Sequence, residues 1–319
     1  MRILRPSLIK RRAILGGTAA LVAAPFVMRV REPMAAATNT QKARTHLTQP
    51  AAAAEAHYNN LTLWDDFDTV ETIDVNATQK AGFNWWPFGW PTHANPGSPA
   101  PLSPGHLVVA NSVVTIGTER GAKINSRMFP SDYSTVSTGI GRTFSNGFYC
   151  EVKMQWNPND GQKRAGSWWP SVWFWEEQYA LEQAQTTKYG PYEPLRAELD
   201  LWEAPFPTDK PGTITPCSTH QWTDSYSQPY GTTGNVNGNL IDYTRFNRYG
   251  LRWIPMAKNH GTGRLDWYFN DAHLPVAPGP SVTYTAKDRL AATDNGNYIL
   301  LIGTPGRWPL RVDSVMIWQ

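Results

Sequence analysis

Residues 197–203 read AELDLWE, and this segment decides the fold that the sequence predicts. Acidic and apolar residues alternate over its first five positions, which is typical of a β-strand whose side chains point to opposite faces in turn. Glu198 and Asp200 then share one face, while Leu199 and Leu201 point into a core. A strand with one polar and one apolar face packs its apolar face on a second layer, so the segment predicts a layered β-protein.

Glu203 departs from this alternation, because in a regular strand it would point into the core with the leucines. A lone carboxylate in that position would be costly. One extra residue in the strand, a β-bulge near Leu201 or Trp202, would return Glu203 to the face of Glu198 and Asp200. The alternative is a solvated edge strand that exposes three acids.

A bulged strand would bring the two glutamates to the distance of a catalytic pair. Four effective strand steps separate their Cα atoms by about 13 Å, at roughly 3.3 Å per residue. Two side chains that lean together reduce the gap between the carboxyl groups to about 5–5.5 Å, the spacing of a retaining glycosidase pair. Asp200, between them, can hydrogen-bond one of the two and hold its charge state.

The chain from Leu61 onward reads as short strands separated by clusters of Pro, Gly, Asn and Asp, with no internal repeat. The expected strands are 147–155, 169–175, 198–202, 218–222, 249–254, 264–269, 298–303 and 312–318. Only residues 176–187 could hold a helix. This spacing predicts one antiparallel sandwich or jelly roll.

Composition and charge exclude several other classes of protein. The 319 residues are 12% aromatic, unlike a disordered chain, and the 2 Cys are too few for a disulfide scaffold. The net charge of +3 belongs to the first 37 residues, which hold seven of the 29 basic residues against one acid. The remainder carries 22 basic and 25 acidic residues, so no footprint for a nucleic acid remains.

Residues 1–37 have the features of an export signal. A positively charged start precedes the apolar stretch 13–27, and residues 35–37 supply an A-x-A cleavage site. Arg11 and Arg12 resemble a twin-arginine motif. The apolar stretch is too short for a stable membrane span, and an uncleaved anchor is the alternative.

Residues 38–60 consist largely of Ala, Thr, Gln and Asn without an apolar period, which predicts a linker. We therefore expect a signal peptide over 1–37, a linker over 38–60 and a catalytic domain over 61–319. The protein would work outside the cytoplasm, in a periplasmic or extracellular location, without a stable membrane span.

The triplet Glu198-x-Asp200-x-x-Glu203 resembles the bulged signature of glycoside hydrolase family 16. Further motifs resemble strands of that family in their order along residues 61–319. They are WDDFD at 64–68, GFYCEVKM at 147–154, WPSVW at 169–173, THQW at 219–222, FNRYGLRW at 246–253, WYFND at 267–271 and VDSVMIW at 312–318. The ordered set is more specific than the acidic triplet alone.

The resemblance implies a β-jelly-roll sandwich of two curved antiparallel sheets with a concave substrate cleft. It implies that Glu198 is the nucleophile, that Glu203 is the general acid/base, and that Asp200 orients and tunes the nucleophile. The implied activity is a retaining, endo-acting β-glycoside hydrolase for a polysaccharide, with a β-1,3 or β-1,3-1,4-glucan as the expected substrate. Catalysis would need no cofactor, and we expect a monomer.

Two other functions are compatible with such a scaffold. A transglycosylase would form the same covalent intermediate and pass it to a sugar rather than to water. A non-catalytic carbohydrate-binding jelly roll would have lost one of the catalytic carboxylates. All three carboxylates are present, so the sequence disfavours the binding module.

Four residues are candidates for substrate binding. Trp169 and Trp173 share a strand face, and an indole can stack on the apolar C–H face of a pyranose. We favour stacking for Trp169, whereas Trp173 is equally consistent with a core residue. His220 and Trp222 share strand parity in the expected His-x-Trp strand, so both are expected to face the cleft.

The sequence leaves the cysteines and any metal open. Cys150 and Cys217 form either a disulfide or two separate buried thiols. The resemblance matches Asp313 to a position that supplies a structural Ca²⁺ ligand in some relatives, and the other residues of any metal site stay unassigned. The sequence contains no His/Cys metal motif, no Gly-rich phosphate loop and no G-x-S-x-G nucleophile elbow.

Overall fold

A computed structural model gives the fold. It describes residues 47–87, 101–119, 121–128, 139–157, 170–177, 196–203, 214–223, 226–235, 241–274, 281–304 and 309–319. The expected signal peptide and residues 178–187 of the expected helix lie outside these ranges. Among the described residues, no helix has the length and apolar character needed to cross a membrane.

Strands make up most of the described structure. In chain order they are β1 (Leu61–Asp65), β2 (Trp86–Pro87), β3 (Leu107–Ala110), β4 (Val113–Ile116), β5 (Ala122–Asn125), β6 (Arg127–Met128), β7 (Ile140–Gly141), β8 (Phe148–Trp156), β9 (Ser171–Glu176), β10 (Arg196–Glu203), β11 (Ile214–Thr223), β12 (Tyr226–Asn235), β13 (Asn247–Ile254), β14 (Thr262–Phe269), β15 (Ala272–Leu274), β16 (Val282–Thr285), β17 (Tyr298–Thr304) and β18 (Leu310–Trp318). One short α-helix, α1, spans Ala51–Glu55, and 3-10 turns occur at Val70–Thr72, Met256–Lys258 and Arg289–Asn295.

The described strands form two large antiparallel sheets. The nine-stranded sheet has the order β15-β14-β13-β8-β18-β4-β3, with β1 also paired to β18 and β16 to β14. The seven-stranded sheet has the order β12-β11-β10-β9-β17-β5-β2, and β6 and β7 form a separate pair. Runs of consecutive strands such as β12-β11-β10-β9 lie next to strands from distant parts of the chain, for example β17 beside β9 and β18 beside β8, so neither sheet is a simple meander.

The hydrophobic core lies between the two large sheets. Alternate residues of each sheet point inward, for example Val152 on β8 and Leu199 on β10. The rings of Phe148 on β8 and Phe174 on β9 have centroids 4.3 Å apart, so the sheets pack face to face. Each of the eight expected strands is present, and the prediction of an all-β jelly-roll sandwich is confirmed.

The expected linker is wrong for its second half, because Ala52, Ala53 and Tyr58 pack on residues of the nine-stranded sheet such as Tyr149 and Trp318. The Tyr58 hydroxyl is buried and donates to the Trp253 carbonyl oxygen at 2.6 Å. Gly147, at φ +87°, makes room for it, since a Cβ there would lie 2.2 Å from the Tyr58 oxygen. The run of alanines gave no apolar period, and a helix as short as α1 forms only with tertiary support.

Cys150 does not form the disulfide with Cys217 that the sequence leaves open. Cys150 is a free thiol and is completely buried in the core on β8. Burial raises its pKa well above the usual range, with a smaller contribution from the Glu151 charge, so the thiol is unreactive. With Cys150 unpaired, the sandwich is held by packing and hydrogen bonds rather than by a disulfide.

Candidate active site

The pairing of β10 with β9 contains the β-bulge that the sequence predicts. Asp200 lies opposite Trp173, and the next paired residue of β10 is Trp202, opposite Val172. Leu201 is therefore the extra residue. Because one strand step is absorbed there, every later side chain of β10 points to the face opposite the one that simple alternation gives.

The bulge determines which face of the sheet each side chain at the end of β10 points to. Leu201 and Trp202 are consecutive, and both are buried in the core. Glu203 returns to the face of Asp200, and its carboxylate lies within 4.8 Å of Asp200 and of His220. We call this face of the seven-stranded sheet, directed away from the core, the site face.

The opposite sheet contributes one hydrogen bond that supports the bulge. A bulge interrupts the regular ladder and leaves local backbone groups in need of other partners. The indole N–H of Trp267, on β14, donates to the Asp200 carbonyl oxygen at 2.8 Å, and both groups are buried. This bond stabilises the irregular backbone immediately before Glu203.

Strand β11 fixes the central acid of the triplet. Ser218 lies opposite Asp200, and His220 lies opposite Glu198. The Ser218 hydroxyl donates to Asp200 Oδ2 at 2.6 Å, and His220 Nε2 lies 3.2 Å from the same oxygen. His220 Nε2 also lies 3.0 Å from the Ser218 oxygen. These contacts hold the completely buried Asp200 in one orientation, next to Glu203.

His220 supplies positive charge to the site face. Burial lowers its pKa, but the hydrogen bond from His220 to Asp200 and the charges of Asp200 and Glu203 raise it more, so the pKa lies above the usual value. The charged form therefore persists to higher pH than in an exposed histidine. The stability that charged His220 contributes is complete below the pKa of histidine in the unfolded chain, and it is lost as pH rises through the raised pKa of the folded protein.

The predicted sugar-stacking residues are described only in part. Trp173 lies on the site face opposite Asp200, but it is only 4% exposed and packs edge-to-face on Trp175, with centroids 4.9 Å apart. An indole this buried has no open ring face on which a sugar could stack. Trp169 and the side chain of Trp222 lie outside the described residues, so their roles stay predictions.

One cluster of described residues has donor groups near enough for a divalent cation, namely Asp200, Glu203 and His220. However, Asp200 Oδ2 is already engaged by the Ser218 hydroxyl and by His220 Nε2. The other carboxylate oxygen, Oδ1, is buried and accepts no hydrogen bond from the described residues. The cluster therefore has the donor groups of a possible cation site as well as those of an acid–base site.

The surroundings of Asp313 do not fit the structural Ca²⁺ that the family resemblance suggests. Ca²⁺ takes six to eight oxygen ligands. Asp313 Oδ2 instead lies 3.1 Å from the Lys153 ammonium and accepts a hydrogen bond from the Ser314 hydroxyl at 3.3 Å. Among the described residues, Asp313 belongs to no group of three or more potential ligands.

Sequence reasoning missed three residues that bear on the site. Ser218 carried a usable signal, because it lies two residues before His220 on one strand and so shares its face. Trp267 carried none, and neither did Lys123, whose ammonium nitrogen lies 5.6 Å from the centroid of the Trp173 ring. Their contacts join strands that are far apart in the sequence, and no local pattern reports such contacts.

Fold and site together define a class of protein, a two-sheet jelly roll with a carboxylate cluster on the outer face of one sheet.

No family model matches the sequence, and no curated protein matches it. Among solved structures, the endo-1,3-beta-glucanase from Streptomyces sioyaensis is 14% identical, with 81% of this chain and 95% of that chain covered and a TM-score of 0.50. The laminarinase from Rhodothermus marinus is 14% identical, with 82% and 97% covered and a TM-score of 0.49. The chain shares the fold of the Streptomyces enzyme, and at this identity the likeness speaks for the fold alone.

Proposed function

We propose that this protein is a retaining, endo-acting β-glycoside hydrolase of the family 16 type that cuts a polysaccharide. The observation that carries the proposal is the bulge at Leu201. It gives Glu203 the same face as Asp200, on a strand where Glu198 lies opposite His220. The fold shared with an endo-1,3-beta-glucanase favours glycoside hydrolysis over other reactions that a group of carboxylates can catalyse.

In the first chemical step, a Glu198 oxygen attacks the anomeric carbon of the bound sugar. The bond from that carbon to the glycosidic oxygen breaks, and Glu203 gives its proton to the leaving oxygen. Like charges close together favour protonation of one carboxyl group, which suits one glutamate to the acid role while the other stays ionised. The product is a glycosyl ester on Glu198 and a shortened polysaccharide chain.

In the second step, Glu203 takes a proton from a water molecule, and the water oxygen attacks the anomeric carbon. The ester bond breaks, its electron pair returns to Glu198, and the anomeric configuration of the substrate is retained. Asp200 keeps its orientation through both steps because Ser218 and His220 hold its carboxylate.

The substrate class within this proposal is a β-1,3 or β-1,3-1,4-glucan. The fold shared with an endo-1,3-beta-glucanase supports this substrate class. Digestion of a polysaccharide panel, followed by linkage analysis of the products, identifies the sugar. Measuring the chain lengths of the products distinguishes hydrolysis from transglycosylation, because transfer to a sugar gives chains longer than the starting oligosaccharide.

The variant Glu198→Gln tests the mechanism. It is nearly isosteric but lacks the attacking anion, so turnover should fall to background while the fold is kept. Azide should restore turnover of an activated aryl glycoside and give a product of the opposite anomeric configuration. Glu151→Gln is the matched control, a buried glutamate on the nine-stranded sheet whose loss should leave activity intact. Activity of the Glu198 variant at the control level would remove Glu198 from the mechanism.

Export as a monomer completes the proposal. The basic start, the apolar stretch 13–27 and the A-x-A site support cleavage of residues 1–37. N-terminal sequencing of the exported protein should begin near residue 38, and a mature chain that starts at residue 1 or 2 would contradict export by this signal. Light scattering of the purified protein should give the mass of one chain.

A further inference from the structure

Three side chains of the site face converge on one small space from two neighbouring strands. Asp200 and Glu203 lie on β10 and His220 lies on β11, and one donor atom of each lies within 4.8 Å of the other two. His220 Nε2 lies 3.2 Å from Asp200 Oδ2. Two ligands of a tetrahedral zinc ion, each about 2.0–2.1 Å from the metal, are about 3.3–3.4 Å apart. The histidine and the aspartate therefore already have nearly the spacing of two zinc ligands.

The buried carboxylate of Asp200 has acceptor capacity that the described protein does not fill. Asp200 is 0% exposed. Its Oδ2 accepts a hydrogen bond from the Ser218 hydroxyl at 2.6 Å, whereas Oδ1 is buried and accepts none from the described residues. A buried carboxylate oxygen without a partner is costly. A cation beside Asp200 would remove that cost, which distinguishes this cluster from an ordinary group of acids.

The charge around these donors also favours a cation. Glu198 lies opposite His220, so the two strands place three carboxylates around one imidazole. Even with the imidazole protonated and one glutamate neutral, the four groups together carry a net negative charge. A divalent cation among them is attracted to each carboxylate. Glu203 and His220 are only half-buried, so an ion in the solvent can reach two of the three donors.

The types of donor atom select zinc among the common divalent cations. Zinc binds imidazole nitrogen together with carboxylate oxygen, and a site with three protein ligands keeps a water molecule in the fourth position. Ca²⁺ takes six to eight oxygen ligands, and Mg²⁺ requires an octahedral set of oxygens. The two carboxylates and the Ser218 hydroxyl offer fewer oxygens than either ion needs, and the remaining donor is a nitrogen. The cluster therefore suits zinc better than either hard cation.

Ser218 holds one of the three ligands in place. Its hydroxyl donates to Asp200 Oδ2, and its oxygen lies 3.0 Å from His220 Nε2. In zinc sites, hydrogen bonds of this kind fix the orientation of a ligating carboxylate. When Nε2 binds a metal it no longer donates to Asp200, so Oδ2 also regains a lone pair. Asp200 can thus bind the ion through one oxygen while the serine contact stays in place.

We propose that Asp200, Glu203 and His220 form a zinc site that inhibits the enzyme. The site follows from the geometry alone, whereas its inhibitory effect rests on the proposed function. Zinc binds Nε2 of the imidazole and one oxygen of each carboxylate, so any proton on those atoms is released to the solvent. Glu203, the last residue of β10, closes the remaining distance by rotation of its side chain. While the ion is bound, Glu203 has no proton to give to the leaving oxygen, and the first chemical step stops.

Calorimetric titration with zinc tests the site, using purified protein that carries no polyhistidine tag and has been treated with a chelator. One zinc ion should bind per chain, and Ca²⁺ at the same concentration should not displace it. His220→Gln should weaken binding by about 100-fold or more, because it removes a ligand. Ser218→Ala should weaken it by about 10-fold, because it disturbs only the orientation of a ligand.

His273→Gln is the matched control. His273 Nε2 lies 3.1 Å from Asp266 Oδ1 on the nine-stranded sheet, a spacing close to that of the pair on the site face. Among the described residues, however, that pair belongs to no group of three potential ligands. The zinc affinity of this variant should therefore match that of the wild type.

Two further readouts separate the site from its effect. Anomalous X-ray scattering from zinc-soaked crystals of the wild type should place the ion between Asp200, Glu203 and His220, and it needs neither a variant nor turnover. Zinc should also suppress glucan hydrolysis over the concentration range in which it binds, and a chelator should restore the activity. If the protein cuts none of the glucans tested, the proposed function fails, while calorimetry and scattering still decide the site.

Each contrary outcome is distinct. Absence of zinc binding at millimolar concentration would overturn the site, and so would equal affinities of the wild type and His220→Gln. An anomalous peak elsewhere on the protein would mean an adventitious ion only. If His220→Gln fails to fold, the scattering experiment on the wild type decides. Zinc bound at the cluster with unchanged glucan hydrolysis would overturn the inhibitory role.

Discussion

The hydrogen bond from Trp267 to the Asp200 carbonyl oxygen predicts a link between the core and the position of Glu203. In the variant Trp267→Phe, a smaller aromatic ring replaces the indole, and the indole N–H donor is lost. The Asp200 carbonyl, at the irregular step of β10, is then left without this buried donor. We expect the bulge to loosen and Glu203 to lose its fixed place beside Asp200.

The size of the effect follows from two contributions. A buried carbonyl that loses its donor costs about 1–3 kcal/mol. The smaller ring also leaves a void, which adds roughly 1 kcal/mol at about 24 cal/mol per Å³. A total of about 2–4 kcal/mol should lower Tm by roughly 4–16 °C, at about 2–4 °C per kcal/mol for a large domain.

The assay pairs thermal unfolding with turnover on two substrates. Trp253→Phe is the matched control, because that indole is equally buried but donates to the Tyr284 hydroxyl at 2.9 Å, away from the bulge. Both variants should lose stability. Only Trp267→Phe should lose more activity on polysaccharide, which needs acid assistance, than on an aryl glycoside with a good leaving group. Equal activity ratios in the two variants would refute the idea that the Trp267 indole holds the bulge.

Three further predictions concern the acid, the docked N-terminal segment and the ion network on the nine-stranded sheet. Glu203→Gln should abolish most activity on polysaccharide and much less on an activated aryl glycoside; equal losses on both would mean that Glu203 is not the general acid. Tyr58→Phe should lower the free energy of unfolding by about 1–3 kcal/mol in urea titrations, because its hydroxyl donates to a buried carbonyl, and an unchanged midpoint would contradict docking. Burial raises the pKa of Asp266, but the Ser281 hydroxyl and the Arg252 charge lower it more, so its net pKa is depressed. The stability that Asp266 contributes is present above the unfolded pKa of about 3.9 and is lost as pH falls through the depressed value. The variant Asp266→Asn should therefore lower Tm at neutral pH and flatten the fall of Tm in acid. Parallel plots of Tm against pH for the variant and the wild type would exclude this role.

Local rules were sufficient for the strand that carries the acids. Alternation assigned Glu198 and Asp200 to one face, and the cost of burying a lone carboxylate required a bulge before Glu203. The register shift at Leu201 agrees with that expectation. Both inferences worked because the relevant physics, strand parity and desolvation, acts within a few residues.

Local rules failed where a short segment depends on distant partners. The alanine run at 51–54 has no amphipathic period, so the sequence predicts that it belongs to a linker. Its order comes from contacts such as the bond between Tyr58 and Trp253, which are 195 residues apart in the chain. The free energy that fixes this segment is tertiary, so no helix propensity or pattern within it could reveal the docking.

The sequence by itself determined the strand pattern, the bulge and the identities of the three acids. Only the tertiary structure decided what surrounds them. The Trp267 donor comes from the opposite sheet, 67 residues further along the chain, and the Lys123 side chain comes from β5 past Gly303. The physical reason is that strand parity is a property of consecutive residues, whereas hydrogen bonds and charges act through space between strands that only the folded sandwich brings together.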